Sequence, residues 1–101
     1  MFKSFLTEVL AEGKEAEDKA YREKAQKIFE KYGIAPTRVF QVWGRKAGQV
    51  LVELGEYESF EKAGETWTKL AQDEEWQKLQ EKRNKAGTVV PGTGEIYYLS
   101  N

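Results

Sequence analysis

Glu53 is the carboxylate of this chain whose surroundings best suit acid–base chemistry. It lies in Gln49-Val50-Leu51-Val52-Glu53-Leu54, where strand alternation puts it on the same face as Leu51. Gln41 and Trp43 belong to the same face of the preceding segment, Thr37-Arg38-Val39-Phe40-Gln41-Val42-Trp43. A carboxylate turned toward a largely apolar interior is desolvated, which suits it to act as a general base on a phenol or an activated carbon. Gln41, facing it, is the residue to orient it. Trp43 offers a flat surface for an aromatic ligand, with Leu51 beside it. Tyr97 and Tyr98 alternate, so one of them reaches that face, and Tyr98 is the candidate to donate its hydroxyl to a ligand carbonyl. Trp76 is a candidate lid. Each assignment has a plainer counterpart: Glu53 hydrated near a sheet edge or paired with Arg38 or Arg45, the tryptophans filling a core, the tyrosine satisfying a backbone group.

The rest of the composition narrows the chemistry. The 101 residues include no histidine and no cysteine, which removes the usual zinc, copper and haem ligands and the Ser-His-Asp and Cys-His arrangements. No metal site and no cofactor are expected. Sixteen basic and seventeen acidic residues are interspersed for a net charge of −1, unlike the clustered Lys and Arg that displace counterions from nucleic acid. Neither nucleic acid nor a membrane is therefore an expected partner. The N-terminus Met1-Phe2-Lys3-Ser4 begins no apolar run long enough for a signal peptide or span, so a cytoplasmic location is the expectation. Pro91-Gly92-Thr93-Gly94 has no Walker lysine and reads as a turn.

These residues must be held by a small set of elements. Residues 2 to 10 read as a strand. From Lys14 to Tyr32, Ala16, Ala20, Tyr21, Ala25, Ile28, Phe29 and Tyr32 recur at helical spacing, and Gly33 ends the helix. Residues 37 to 57 read as a hairpin turning at Lys46-Ala47-Gly48, with Trp43 opposite Leu51 and Gln41 opposite Glu53. One hairpin face then carries Val39, Gln41, Trp43, Gln49, Leu51, Glu53 and Tyr57; the other carries Phe40, Val42, Val50, Val52 and Leu54. Ser59 caps a helix with the stripe Phe60, Ala63, Trp67, Leu70 and Ala71. The stripe then changes phase to Trp76, Leu79 and Ala86, which predicts a break at Gln72-Asp73 with Asp73 capping a further helix closed by Gly87. Glu95 to Leu99 is the last strand. The order β-α-β-β-α-α-β predicts a single α+β domain over residues 1–101, a four-stranded antiparallel sheet with its helices on one face.

Helices cover the Phe40, Val42, Val52 and Leu54 side. The side with Val39, Trp43 and Leu51 stays open in a monomer, which predicts a homodimer packed sheet to sheet, with a pocket between sheet and helices. The element order, Gly55-Glu56-Tyr57-Glu58-Ser59-Phe60-Glu61, Asp73-Glu74-Glu75-Trp76-Gln77 and Val89-Val90-Pro91-Gly92 resemble the small members of the dimeric α+β barrel superfamily, a ferredoxin-like fold, and especially its NIPSNAP-like and uncharacterised bacterial branches. Glu74 stands where those branches commonly carry a proline. The superfamily includes cofactor-free monooxygenases, haem-degrading monooxygenases, isomerases, polyketide cyclases and stress-responsive proteins. The missing histidine speaks against the haem-degrading branch. The resemblance implies a homodimer that binds a small hydrophobic or aromatic molecule, as a cofactor-independent monooxygenase or isomerase. The alternative is a non-catalytic dimerisation or stress-associated module with a filled interior. RNA binding, which the same element order allows, lacks the aromatic and basic pattern on the third strand.

Overall fold

The computed structural model describes residues 2–41 and 49–100. Trp43 and the expected Lys46-Ala47-Gly48 turn lie outside the described residues. The elements run β1 (Phe2–Val9), α1 (Glu15–Lys31), β2 (Thr37–Gln41), β3 (Gln49–Tyr57), α2 (Phe60–Gln72), α3 (Glu74–Ala86) and β4 (Glu95–Ser100). The strands form one four-stranded antiparallel sheet in the order β2-β3-β1-β4. That is the expected ferredoxin-like arrangement.

The core forms where the helices pack on one another and on the sheet. Ala25, Ile28 and Phe29 of α1 meet Ile34, Leu70 of α2 and Leu79 of α3, and Tyr21, Tyr32, Trp67 and Trp76 pack around them. On the sheet, Val50 and Leu54 are buried. Leu6, Val52, Leu54 and Ile96 line a space shared with Ala25, Phe29, Trp67 and Trp76 of the helices, which identifies the sheet's helix side. The expected division of β3 into a helix side with Val50, Val52 and Leu54 and an open side with Leu51 and Glu53 therefore holds up to residue 54.

Two register details differ from expectation. In β2 Gln41 stands opposite Val50 and Phe40 opposite Leu51, and beyond a shift between Arg38 and Phe40 Thr37 stands opposite Glu53. The expected Gln41–Glu53 pair is not formed: already on the turn side of that shift Gln41 pairs with Val50 and Phe40 with Leu51, so these two stand with the opposite face groups of β3 to those expected. In β3 the pairing with β1 shifts where Ser4 faces Gly55 and Phe5 faces Glu53. Leu54 is the additional residue. Beyond it Tyr57 stands opposite Phe2, whose ring meets that of Phe60 at 6.3 Å, so Tyr57 belongs to the helix side rather than to the face of Glu53.

The helix ends follow the chemistry read from sequence. Ser59 Oγ accepts from Lys62 N at 3.2 Å, and Gly87 closes α3 in the left-handed region at φ 66°. Asp73 divides α2 from α3, its Oδ1 accepting from Trp76 N at 2.9 Å. Its Oδ2 accepts from Lys31 Nζ at 2.7 Å and from the Tyr32 hydroxyl at 2.6 Å, which fastens the end of α1 to the α2–α3 junction. The Lys31 ammonium, the Tyr32 hydroxyl and the Trp76 N–H hold the Asp73 carboxyl well below its ordinary value of 3.8, and the bond to Asp73 pushes Lys31 and Tyr32 up. A folded-state value below the unfolded one gives stability that is complete above the unfolded pKa and is lost as pH falls from there through the folded value. Asp73→Asn preserves a good cap but removes the charge. Melting curves should show the wild type losing its advantage over Asp73→Asn progressively below about pH 4. An advantage independent of pH would contradict the charge assignment.

Candidate small-molecule cavity

The space between β1, β3 and β4 below and the three helices above is a cavity of about 390 Å³, within the range of ligand pockets, roughly 300–1,000 Å³. Its walls are largely hydrocarbon and aromatic: Leu6, Val52, Leu54 and Ile96 from the sheet, Phe29, Trp67 and Trp76 from the helices. The Phe29 and Trp76 rings lie 5.0 Å apart, in tilted contact. Arg22 and Gln26, both exposed, stand at the rim.

One end is polar. Glu8 projects from β1 to the helix side and is buried; Arg83 of α3 donates to its Oε1 at 2.5 Å. Their side chains are 9% and 11% exposed, so this pair is withdrawn from water on both sides. The Arg83 guanidinium lies over the Tyr21 ring at 4.1 Å, and the Tyr21 hydroxyl accepts from Gln80 Nε2 at 2.8 Å. Burial pushes the Tyr21 phenol up, with Arg83 pulling the other way, so the hydroxyl stays protonated at neutral pH. Asp18, also buried, accepts from Arg22 Nε at 3.0 Å. Trp67 Nε1 and Arg83 Nε are buried without an acceptor. Among the described residues no three acidic side chains converge as a metal-binding group.

The residues singled out from sequence divide between this cavity and the other face of the sheet. Trp76 lines the cavity. Glu53 does not; it lies on the open face, 3.7 Å from Lys3 Nζ and 32% exposed. Leu51 is half-buried and stands opposite Thr7. Gln41 ends β2 opposite Val50. Tyr98 is on the helix side: it pairs with Ser4, and its ring lies 5.1 Å from that of Phe60. The tyrosine on Glu53's face is Tyr97, since both pair with Phe5. The parity of β4 is fixed by its register with β1, which alternation alone does not supply.

Sequence reasoning passed over Glu8, Tyr21, Gln80 and Arg83. The signal was present in two places. Glu8 follows Leu6 at a two-residue step, and Arg83 follows Trp76 and Leu79 at seven and four, so each apolar stripe carries one charge, of opposite sign. A charge on a buried stripe asks for a partner.

An α+β sheet with helices on one side and a cavity between the layers defines a ferredoxin-like protein, and solved structures bear this out. An uncharacterised NIPSNAP domain protein from Burkholderia xenovorans superposes with a TM-score of 0.81 at 18% identity, over 100% of this chain and 94% of that one. A NIPSNAP family protein from Agrobacterium tumefaciens gives 0.78 at 22% identity, over 98% and 90%. A putative antibiotic biosynthesis monooxygenase from Nitrosomonas europaea gives 0.59 at 10% identity, over 100% and 98%. The sequence profile of the NIPSNAP family matches residues 9–100, and the chain belongs to that family. No curated protein matches its sequence significantly.

Proposed function

We propose that this NIPSNAP protein binds a small hydrophobic, aromatic molecule in the cavity between its sheet and helices. The observation that carries this reading is the cavity itself: about 390 Å³ of aromatic and aliphatic wall ending in a buried ion pair. Glu8 and Arg83 engage each other, so the geometry favours binding and orientation over proton transfer. The likeness in fold to a putative monooxygenase supports an oxygenase- or isomerase-like activity without a cofactor as the reaction class to assay first.

The functional unit in this reading is a homodimer. Phe5, Leu51, Tyr97 and Leu99 share the face away from the helices, with Tyr97 and Leu99 51% and 52% exposed. Lys3, Glu53 and Glu95 lie among them, a mixed rim suited to a self-complementary contact. Sedimentation at low micromolar concentration should give twice the 11.6 kDa chain mass, and Leu51→Arg should halve it. A wild type sedimenting as one chain would remove the dimer.

Small phenols and quinones test the binding reading. A ligand at one hundred times its Kd should stabilise the fold by about 2.7 kcal/mol, a melting shift of several degrees for a domain of this size. No shift across a broad panel would favour the non-catalytic module.

A further inference from the structure

Helices α1 and α3 pack antiparallel, so that along their seam Phe29 meets Trp76, Lys31 meets Glu75 and Lys24 meets Lys82. The first two contacts attract. The third brings two ammonium groups together, and the close approach of the Lys82 amine, then its charge, pull Lys24 below its ordinary value of 10.5. Among the described residues neither lysine forms an ion pair with a carboxylate. The sequence explains why: three and four residues from Lys24 stand Ala20, Tyr21, Lys27 and Ile28, and from Lys82 stand Lys78, Leu79, Lys85 and Ala86. Elsewhere the helices do supply the acid at that spacing, as in Asp18–Arg22 and Lys62–Glu65.

The two lysines stand on a groove of about 310 Å³ between the same helices. Leu79 is its buried base, and Ala20, Ala86 and Ala16 carry the apolar floor away from the lysines toward the buried Thr88. Of the other charged residues of the lining, Arg83 is engaged by Glu8, and Glu17 is seven residues from Lys24, about 10 Å along the helix. The groove is thus cationic where Lys24 and Lys82 meet and hydrocarbon beyond. A small inorganic anion would leave the hydrocarbon uncovered, and a neutral hydrophobe would leave the lysines facing each other. An acidic peptide would lay backbone N–H and C=O groups on alanine and leucine side chains that offer them no partner. An amphiphile with one carboxylate matches both parts.

We infer that the α1–α3 groove binds a medium-chain carboxylate, its head between the Lys24 and Lys82 ammonium groups and its hydrocarbon along Leu79, Ala20, Ala86 and Ala16. Ala16 and Lys24 are eight residues apart, about 12 Å of helix. An extended chain advancing roughly 3.5 Å for every three bonds covers that in about ten carbons. Lys24 and Lys82 do not line the cavity between sheet and helices, so this groove is a second site that stands or falls separately from it.

Calorimetric titration of the full chain at low ionic strength with octanoate, acetate and 1-octanol provides the test. These probes carry head and tail together, the head alone and the tail alone. Octanoate should bind about tenfold more tightly than acetate, because covering even two methylene groups is worth that much. Lys24→Gln and Lys82→Gln should each weaken octanoate by about threefold, the worth of one exposed ion pair, and leave 1-octanol unchanged. In lysine-selective NMR, Lys24 should titrate at higher pH with octanoate bound than without, since a carboxylate then stands beside it. Acetate binding as tightly as octanoate would reduce the groove to a patch of charge and overturn the inference. Octanoate affinity unaltered by both substitutions would also overturn it, placing the ligand in the cavity between sheet and helices and leaving that reading intact. Absence of octanoate binding would remove the groove as a site.

Discussion

Replacing Arg83 with methionine is expected to destabilise the fold by about 3–5 kcal/mol in urea unfolding, because it strands a buried carboxylate. Glu8 has its Oε1 2.5 Å from Arg83 and a side chain only 9% exposed, so little water is at hand to replace the guanidinium. A loss of that size approaches the whole stability of a small domain, roughly 5–15 kcal/mol. The double change Glu8→Leu with Arg83→Met removes both charges and should recover most of the loss, since a buried pair gains little over a well-packed apolar one. Arg83→Lys should be milder than Arg83→Met. An unfolding midpoint unaltered by Arg83→Met would mean that Glu8 is hydrated and that the cavity's polar end is wet.

The second large effect is expected at Leu70. This residue is 1% exposed, at the centre of the cluster formed by Ala25, Ile28, Phe29, Ile34 and Leu79. Leu70→Ala should cost about 2–5 kcal/mol, the transfer of the lost methyl groups plus the void they leave. Leu70→Met, close in volume, should cost less than about 1.5 kcal/mol. Because Trp67 precedes Leu70 by one turn on the same helix and lines the ligand cavity, the alanine variant also tests whether core and cavity are coupled. Its affinity for the phenols and quinones that bind the wild type should fall with its stability if the helix shifts toward the void. Near-equal stability of the alanine and wild-type proteins would contradict the placement of Leu70.

Most of the fold was legible because its signals are local. The phase change between Leu70 and Trp76 marked the α2–α3 break, and Ser59, Asp73 and Gly87 cap where their chemistry requires. The alternation of Val50, Val52 and Leu54 correctly named the helix side of β3. Pairings were less legible, since register is set between strands and no single strand announces it. That is why Gln41 lost Glu53 as a partner and why Tyr97, not Tyr98, shares its face. Of the described residues singled out from sequence as a site, only Trp76 lines the cavity. Glu8 and Arg83 are 75 positions apart, and only the folded sheet and α3 bring them together. Reasoning from one hairpin directed attention to the face it leaves open, whereas the cavity belongs to the face that it helps to cover.

The bulge at Leu54 gives β3 two reading frames. Before it, even-numbered residues look toward the helices; after it, odd-numbered ones do, with Gly55 opposite Ser4 and Tyr57 opposite Phe2. Gly55 has a φ of 149°, and a side chain there would lie 3.3 Å from the Tyr57 hydroxyl. Length is therefore information at this point of the chain: losing one residue between Glu53 and Tyr57 would force the strand to read in a single frame, exchanging what the cavity sees for what the open face displays on one side of the deletion. Relatives that differ by a single residue here would share the fold yet present a different surface.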